Sequence, residues 1–600
     1  MNTQSSATNP LFATAIRSLK QQQYGISDLR GDILAGITVG IVAIPLAMAL
    51  AIASGVPPQH GLYTSIIAGA LIALTGGSRV NISGPTAAFI VILLPITQHY
   101  GIGGLLIATV MAGCILVGMG IAKMGKLIQY IPYPVTTGFT SGIAVVIAVL
   151  QLKDFFGLPI SALPNHFPAK IKLLAITMPS LHWPDMAVGL ITLTALVLWP
   201  RLKIKFPGHL VALLLGTMAA IIGSHTIDGF SVATIGSRFS YSMDGISGTG
   251  IPSLPPLFAL PWTFPDSTGQ PVGINFNLVR ELIPSAAAIA ILGAIESLLC
   301  AVVADGLSGD NHDPNGELIG QGLGNIVAPF FGGITATAAI ARTATNIRAN
   351  GRTPIAAIVH AGTVLAGVML LAPYLSYLPM AALAAVLLIV ARDMSEAKHF
   401  VHILRAAPRS DVAVLMVCFG LTVVFDMVLA VSAGVVLASF LFIHRMTELS
   451  DAIELDHSAH QQLMEVPNHI AVYEIKGPLF FGAAGKALGL VKRFTPEVEG
   501  IVINMTNVTT IDITGIVALQ SLINTLNADG VAVVLCSLND RICRKILRGG
   551  IRKKAGLLGF TSDLDRATRK ILRMRPGNKT PLRKDNEPVQ GCPTPPYLSR

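Results

Sequence analysis

Long apolar stretches with brief polar interruptions fill the chain from Ile33 to Phe442, after which the pattern changes. Because a helix needs about 20 apolar residues to cross a bilayer, these stretches predict membrane-spanning helices. The eleven strongest candidates are 33–54, 60–76, 103–124, 134–152, 185–199, 208–224, 283–304, 355–372, 379–391, 411–427 and 428–443. The pattern predicts a membrane domain over 31–445 and a soluble domain over 455–575.

Three shorter apolar segments, at 84–98, 319–331 and 334–345, are interrupted by Gly and Pro and complete a predicted set of fourteen spans. Segment 84–98 is third among the first seven spans, and 334–345 is third among the second seven. An odd number of spans in each half gives the halves opposite orientations. The fold class predicted is therefore an α-helical polytopic membrane protein with a 7+7 inverted repeat and a C-terminal α/β domain.

Lys and Arg concentrate in alternate loops, which marks the cytoplasmic side of a membrane protein. These loops carry Arg79, Lys123, Lys126, Arg201, Lys203, Lys205, Arg348, Arg352, Arg392, Lys398, Arg405 and Arg409. Only the predicted loop 308–318 departs from the pattern, because it carries Asp310, Asp313 and Glu317. The distribution predicts a multi-pass protein of the bacterial inner membrane with both termini in the cytoplasm.

Composition supports the same class, since 52% of the residues are hydrophobic and only 12% are charged. The formal net charge of +10 is attributed to cytoplasmic loops and a basic tail at 576–600, rather than to nucleic-acid binding. That Pro-rich tail is predicted to be disordered. Residues 1–30 read as a polar cytoplasmic N-terminus without a signal peptide. The six cysteines form no C-x-x-C pair, so no metal site is predicted.

The two matching broken segments are the predicted substrate site, because half-helix N-termini that converge at membrane depth attract anions. Pro85 suits the first turn of such a helix. The predicted substrate-binding residues are Ser83, Pro85, Thr86, Ala87, Thr335, Ala336, Thr337 and Ala338, with the Thr hydroxyls as extra donors. The alternative is that Gly and Ala in these segments only allow close helix packing.

Two charged residues are predicted at membrane depth. Glu296 lies in the middle of an apolar span and is a candidate proton carrier, although a structural hydrogen bond is the alternative. Arg342 lies about two turns into the second half-helix, where it either adds positive potential to the anion site or extends to the membrane interface. Asp32, at the entrance of the first span, is predicted to be an interface residue.

Several motifs resemble those of SulP (SLC26-type) anion transporters across nearly the whole chain. They are Asp32-Ile33-Leu34-Ala35-Gly36-Ile37-Thr38-Val39, Ile44-Pro45-Leu46-Ala47, Gly61-Leu62-Tyr63-Thr64, Ser83-Gly84-Pro85-Thr86 and Asn315-Gly316-Glu317-Leu318-Ile319-Gly320-Gln321-Gly322-Leu323-Gly324-Asn325. The resemblance implies core and gate domains, an anion bound between spans 3 and 10, a homodimer and a C-terminal STAS domain. It also implies that Glu296 handles the coupling ion and that Arg342 lines the anion site.

Two departures from animal family members bear on the substrate. Leu46 replaces a Gln, and Ala338-Ala339-Ile340-Ala341 replaces a serine-rich run before Arg342. A less polar pocket suits an organic anion, and the chain looks especially like a bacterial C4-dicarboxylate transporter of the family. The sequence therefore predicts proton-coupled uptake of succinate, fumarate or aspartate by alternating access, with sodium coupling left open. The alternatives are sulfate or bicarbonate transport and, further off, an anion channel or a STAS-based sensor.

The soluble domain shows alternating strands and helices, typical of an α/β layer. Strands are predicted at 472–475, 501–505 and 531–535, and helices at 484–494, 514–527 and 540–549. Asp512-Ile513-Thr514-Gly515 resembles the loop motif of STAS domains, which implies possible phosphorylation of Thr514; a simple N-cap is the alternative. No enzyme activity and no cofactor are predicted. The expected partners are a small anion, the lipid bilayer, a second copy of the chain and a cytosolic protein bound to the STAS domain.

Overall fold

A computed structural model of the chain describes residues 24–126, 131–160, 163–164, 166–202, 207–243, 246–425, 427–448, 450–455, 466–467, 469–480, 484–485, 488–489 and 498–574. Contacts divide the chain into two units, Met1–Val436 and Leu437–Arg600, and each is considered by itself. The predicted tail at 576–600 and most of the predicted helix 484–494 lie outside the described residues.

The first half of the membrane unit contains six long helices joined by short connecting elements. The long helices are α1 (Ile26–Ala53), α2 (Pro58–Thr75), α3 (Ile90–Ile121), α4 (Tyr133–Phe155), α6 (Trp183–Leu198) and α7 (Gly208–Thr226). The connecting elements are β1 (Ser83–Gly84), α5 (Phe167–Thr177), α8 (Ile235–Arg238), β2 (Ser240–Met243) and β3 (Ile246–Thr249). Gly101 breaks α3 with a φ of 69°, a left-handed conformation that Gly adopts readily, so α3 consists of two helices.

The second half follows the same plan. Its elements are α9 (Phe276–Ser308), α10 (Pro314–Val327), β4 (Thr337–Ala338), α11 (Ile340–Arg348), α12 (Pro354–Leu375), α13 (Met380–Met394), α14 (Ala397–Ala406), α15 (Arg409–Val424) and α16 (Met427–Glu448). With α3 counted as two, a helix coincides with every predicted span. Among the described residues, eight helices are long and apolar enough to cross a membrane.

Packing sorts the membrane helices into two sets. In one set, α10 packs against α2 and α3, α9 packs against α3, and α12 packs against α1 and α2. In the other, α4 packs against α13 and α15, and α6 packs against α7 and α13. Each set draws helices from both halves of the chain, as a core and a gate built from two repeats require. The first set contains both broken segments.

Two acidic residues have roles that differ from their predictions. Asp32 is fully buried rather than at an interface, and its carboxylate accepts hydrogen bonds from the backbone N–H of Arg352 (2.7 Å) and from the hydroxyl of Thr353. It therefore holds the start of α12, a contact made 320 residues along the chain. Glu317 is not a loop residue, because it lies buried in the first turn of α10.

The soluble unit is a five-stranded sheet with helices. Its strands are β5 (Asp451–Glu454), β6 (Ile470–Leu479), β7 (Gly500–Ile511), β8 (Ala532–Cys536) and β9 (Leu558–Thr561), in that order across the sheet. The β5–β6 pair is antiparallel and the remaining pairs are parallel. The helices are α17 (Ile513–Ala528), α18 (Asp540–Arg548) and α19 (Leu564–Ile571). These elements confirm the predicted α/β domain and its predicted strands.

Candidate anion site

The two broken segments meet as an antiparallel pair of short strands. Ser83 of β1 lies opposite Ala338 of β4, and Gly84 lies opposite Thr337. A few residues after each strand a helix begins: the 3₁₀ turn Ala87–Phe89 leads into α3, and α11 begins after β4. Because the strands are antiparallel, the two helices leave the pair in opposite directions. The two helix starts therefore flank the strand pair, one beyond each end of it, and the convergence of their N-termini stays a prediction.

Neither helix start has a side-chain cap from the described residues. Thr86 and Ala339 occupy the N-cap positions, and neither makes a side-chain hydrogen bond to the first turn. In the same unit, Asp313 caps α10 and Thr353 caps α12 with their side chains. Free N–H groups and the positive ends of two helix dipoles are thus available to a negatively charged group.

Glu296 and Arg342 hold consecutive residues of the link between β1 and the first half-helix. The hydroxyl of Thr86 donates a hydrogen bond to Oε2 of Glu296 at 2.9 Å. The Nη2 of Arg342 donates to the backbone oxygen of Pro85 at 2.8 Å. The structure therefore brings the two predicted membrane-depth charges to the same link.

The guanidinium of Arg342 is almost completely buried, with 3% of the residue exposed. Its Nε and Nη1 atoms have no hydrogen-bond partner among the described residues. Gly84 faces the same group, since a Cβ at this position would overlap Nη1. A buried guanidinium with two unused donor atoms attracts an anion, because a buried N–H group without an acceptor is costly.

The other predicted site residues are buried, and several of their hydroxyls are already used. The Thr335 hydroxyl lies 2.9 Å from that of Thr109, and the Thr337 hydroxyl donates to the Gly293 oxygen at 3.3 Å. These two hydroxyls therefore brace the segment, in contrast to the predicted role as donors to the anion. Three further predicted residues are buried and add apolar surface at the segments: Ala87, Ala336 and Ala338.

Three polar residues of α10 lie beside the strand pair; they were part of the motif that resembles the SulP family, but no individual role was predicted for them. Glu317, Gln321 and Asn325 lie four residues apart on α10 and are buried, and each makes hydrogen bonds near β1 or β4. Their spacing within an otherwise Gly-rich and apolar helix was a signal that could have found them. His360 of α12 is a further polar residue of this unit for which no role was predicted. It is fully buried, and neither ring nitrogen has a hydrogen-bond partner among the described residues.

Comparison with known proteins identifies the family. Residues 29–418 match the Sulfate permease family, and residues 461–566 match the STAS domain. The chain belongs to the sulfate permease family. This confirms the SulP resemblance, and the chain is a multi-pass membrane protein and an anion transporter of that family.

Two of the relatives of this chain illustrate the substrates that their names give. The Bacillus subtilis (strain 168) protein YvdB, whose name gives sulfate transport as a provisional assignment, is 36% identical over 546 residues, covering 91% of this chain and 98% of YvdB. The bicarbonate transporter BicA of Picosynechococcus sp. is 29% identical over 520 residues, covering 83% of this chain and 86% of BicA. The names of these two relatives include neither a dicarboxylate nor an enzyme activity.

A solved structure shows the same fold. Murine Slc26a9, an anion transporter captured in the inward-facing state, superposes with a TM-score of 0.76 at 18% identity. The match covers 91% of this chain and 93% of the murine protein. The sulfate permease fold described here, a helical transport unit followed by a STAS domain, is therefore shared over nearly the whole length of both chains.

Proposed function

We propose that the chain is a secondary active transporter that moves a small oxyanion by alternating access. The anion binds between the N-termini of the first part of α3 and of α11, with Arg342 beside it. The observation that carries this proposal is the pair of uncapped helix starts next to a buried guanidinium with unused donors. Ser83, Pro85 and Thr337 complete the surroundings of the site.

Sulfate or bicarbonate is the first candidate substrate, because the relatives YvdB and BicA are named for these anions. Both carry oxygen acceptors that suit helix N–H groups and a guanidinium. A C4-dicarboxylate is the second candidate. It is supported by the buried apolar surface of Ala87, Ala336 and Ala338, which suits methylene groups, and by the resemblance of 292–303 and 320–342 to the bacterial transporter DauA.

Glu296 is proposed to carry the coupling proton. Its carboxylate accepts a hydrogen bond from Thr86, which is the residue at the start of the first half-helix. A proton on Glu296 changes this contact, and thereby links the coupling ion to the segment that holds the anion. Sodium is the alternative coupling ion. A homodimer in the inner membrane with cytoplasmic termini, and a modulatory STAS domain with a cytosolic protein partner, belong to the same proposal.

Thr514 remains the candidate phosphorylation site of the STAS domain. It is exposed in the first turn of α17, while the side chain of Asp512 caps that helix through the N–H of Gly515 at 2.8 Å. The N-cap role considered for Thr514 thus belongs to Asp512. A phosphate on Thr514 would lie near a helix N-terminus, which favours negative charge.

Uptake into proteoliposomes tests the proposed function. Purified protein is reconstituted, and labelled sulfate, bicarbonate and succinate are offered separately with and without an inward proton or sodium gradient. Gradient-driven accumulation of sulfate or bicarbonate is expected, and accumulation of succinate alone would favour the second candidate. Failure of all three anions to accumulate under either gradient would overturn the proposal. If an anion equilibrates across the membrane but neither gradient drives its accumulation, the result would instead indicate a channel.

A further inference from the structure

We propose that Glu317, Gln321 and Asn325 of α10 are positioning residues that fix the location of both strands of the anion site. This inference rests on the proposed function, because it assigns these residues to anion binding rather than to folding alone. We refer to the three residues as the α10 ladder. Their four-residue spacing places them on one face of the helix.

The lower end of the ladder holds the segment that leads into β1. Oε2 of Glu317 accepts hydrogen bonds from the backbone N–H groups of Gly77 and Ser78, each at 3.0 Å. Its Oε1 accepts from the side-chain amides of Asn81 (3.0 Å) and Gln321 (3.1 Å). The buried carboxylate is thus surrounded by four N–H donors, and it lies in the first turn of α10, where the helix dipole favours negative charge.

The middle and upper ends of the ladder reach the strands themselves. The Nε2 of Gln321 donates to the hydroxyl of Ser83 in β1 at 3.1 Å. Oδ1 of Asn325 accepts from the N–H of Ala336, next to β4, at 2.8 Å. The Nδ2 of Asn325 donates to the oxygens of Ala336 and Gln321, both at 2.8 Å.

The ladder gives the site a fixed frame that the strand pair alone lacks. Each strand has only two paired residues, so few backbone hydrogen bonds join them. Glu317 and Asn325 are eight positions apart on the helix, which corresponds to about 12 Å. Because one end of α10 is bonded to the first segment and the other end to the second, α10 holds the two helix starts at a fixed separation, in addition to the direct bonds of Thr343 and Asn346 to the first segment.

The test compares ladder variants with a control on the same helix. Glu317→Gln replaces one carboxylate oxygen by an amide NH2 group, so either the backbone N–H pair of Gly77 and Ser78 or the side-chain amide donors lose their acceptor. Asn325→Asp places an oxygen against the oxygens of Ala336 and Gln321. Asn315→Ala is the matched control, because Asn315 also accepts a backbone N–H, from Gly125 at 3.1 Å, but lies away from the strands. Uptake kinetics and melting temperature are measured for each reconstituted protein, with whichever of the three anions the wild type transports.

We expect each ladder variant to raise the KM for the anion about tenfold, since one hydrogen bond to a charged or buried group is lost. The maximal rate changes less, and Asn315→Ala keeps the wild-type KM at a similar loss of melting temperature. Gln321→Met is a second variant for the case that these proteins unfold. It removes the Nε2 donor to Ser83 and Glu317, but also the Oε1 atom, which is buried without a hydrogen-bond partner among the described residues, so part of its cost in stability is offset.

The outcomes separate this inference from the proposed function. A wild type that transports an anion, with ladder variants and Asn315→Ala that share one KM, would overturn the positioning role and leave the function standing. The positioning role would also be overturned if the ladder variants kept the wild-type KM and their maximal rate fell only in proportion to the loss of folded protein. If the wild type accumulates none of the three anions, the proposed function fails and the inference fails with it.

Discussion

At the scale of single residues, Gly84 lies directly against the guanidinium of Arg342. The absence of a side chain at Gly84 lets the guanidinium lie against the β1 backbone and reach the oxygen of Pro85. Both residues lie in the broken segments where the site was predicted, at 84–98 and 334–345, but this contact could not be predicted, because they are far apart along the chain. Arg342 could equally have extended to the membrane surface.

Gly84→Ala is expected to abolish most anion uptake. The added methyl group overlaps Nη1 of Arg342, so the guanidinium must leave its position beside the half-helix start. Gly306→Ala of α9 is the control, because a methyl group there meets no atom within 4 Å. Initial uptake rates of the two reconstituted proteins check the prediction. Equal rates would show that the contact of Gly84 with Arg342 does not matter for transport.

Glu296→Gln is expected to keep anion exchange and lose accumulation driven by a proton gradient. The amide oxygen of Gln can still accept the hydrogen bond from Thr86, so the site retains its geometry, but the side chain no longer gains or releases a proton. The measurement is uptake with and without an inward proton gradient, beside anion counterflow in the same liposomes. A variant that still concentrates the anion in response to the gradient would exclude Glu296 as the proton carrier.

At the scale of elements, apolar length was enough to predict the helices but not what fixes their ends. Each predicted span has a helix, because crossing a bilayer imposes a length that is visible in the sequence. The roles of Asp32 and Glu317 were wrong, since both accept hydrogen bonds from segments more than 200 residues away. Spacing within one element cannot reveal such a partner, although the four-residue spacing of the α10 ladder marked which face was polar.

Asp32→Ala is expected to lower the melting temperature of the whole membrane unit. The substitution removes the carboxylate that accepts hydrogen bonds from the N–H of Arg352 and the hydroxyl of Thr353 at the start of α12. These two donors then remain buried without an acceptor. The loss is about 1–3 kcal/mol for such a group. Asp28→Ala, which removes an acceptor at the more exposed start of α1, serves as the comparison. Thermal melts of both variants in detergent check this prediction. Equal melting temperatures of Asp32→Ala and Asp28→Ala would contradict the role of Asp32 at the start of α12.

At the scale of the whole molecule, the change in hydrophobic pattern predicted a boundary near Arg445, whereas contacts divide the chain between Val436 and Leu437, inside α16. The soluble unit has apolar clusters that include Leu519 and Val533 in one and Val502 and Val534 in the other. A sheet with its own core is expected to fold without the membrane unit. The STAS identity depended on one loop motif, because α/β layers of this kind share their periodicity with many folds.

A fragment covering 450–574 is expected to unfold in one cooperative transition. Within it, Leu519→Ala should cost about 2–5 kcal/mol, because Leu519 is fully buried and its loss leaves a cavity. Val517→Ala on the same helix is the control, because Val517 is 57% exposed. Urea unfolding followed by circular dichroism gives both free energies. Similar values for the two variants would mean that α17 does not pack on the sheet as described.

The pairing of Ser83 with Ala338 means that the proposed anion site is formed by both halves of the chain together. Each repeat contributes one strand and one helix start, so a chain cut between α8 and α9 would hold two incomplete receptors. A bound anion would then behave as a ligand of the assembled state alone, and would favour the association of the two halves by mass action. Bound substrate would therefore stabilise the association of the two repeats, and the substrate concentration would determine how stable that association is.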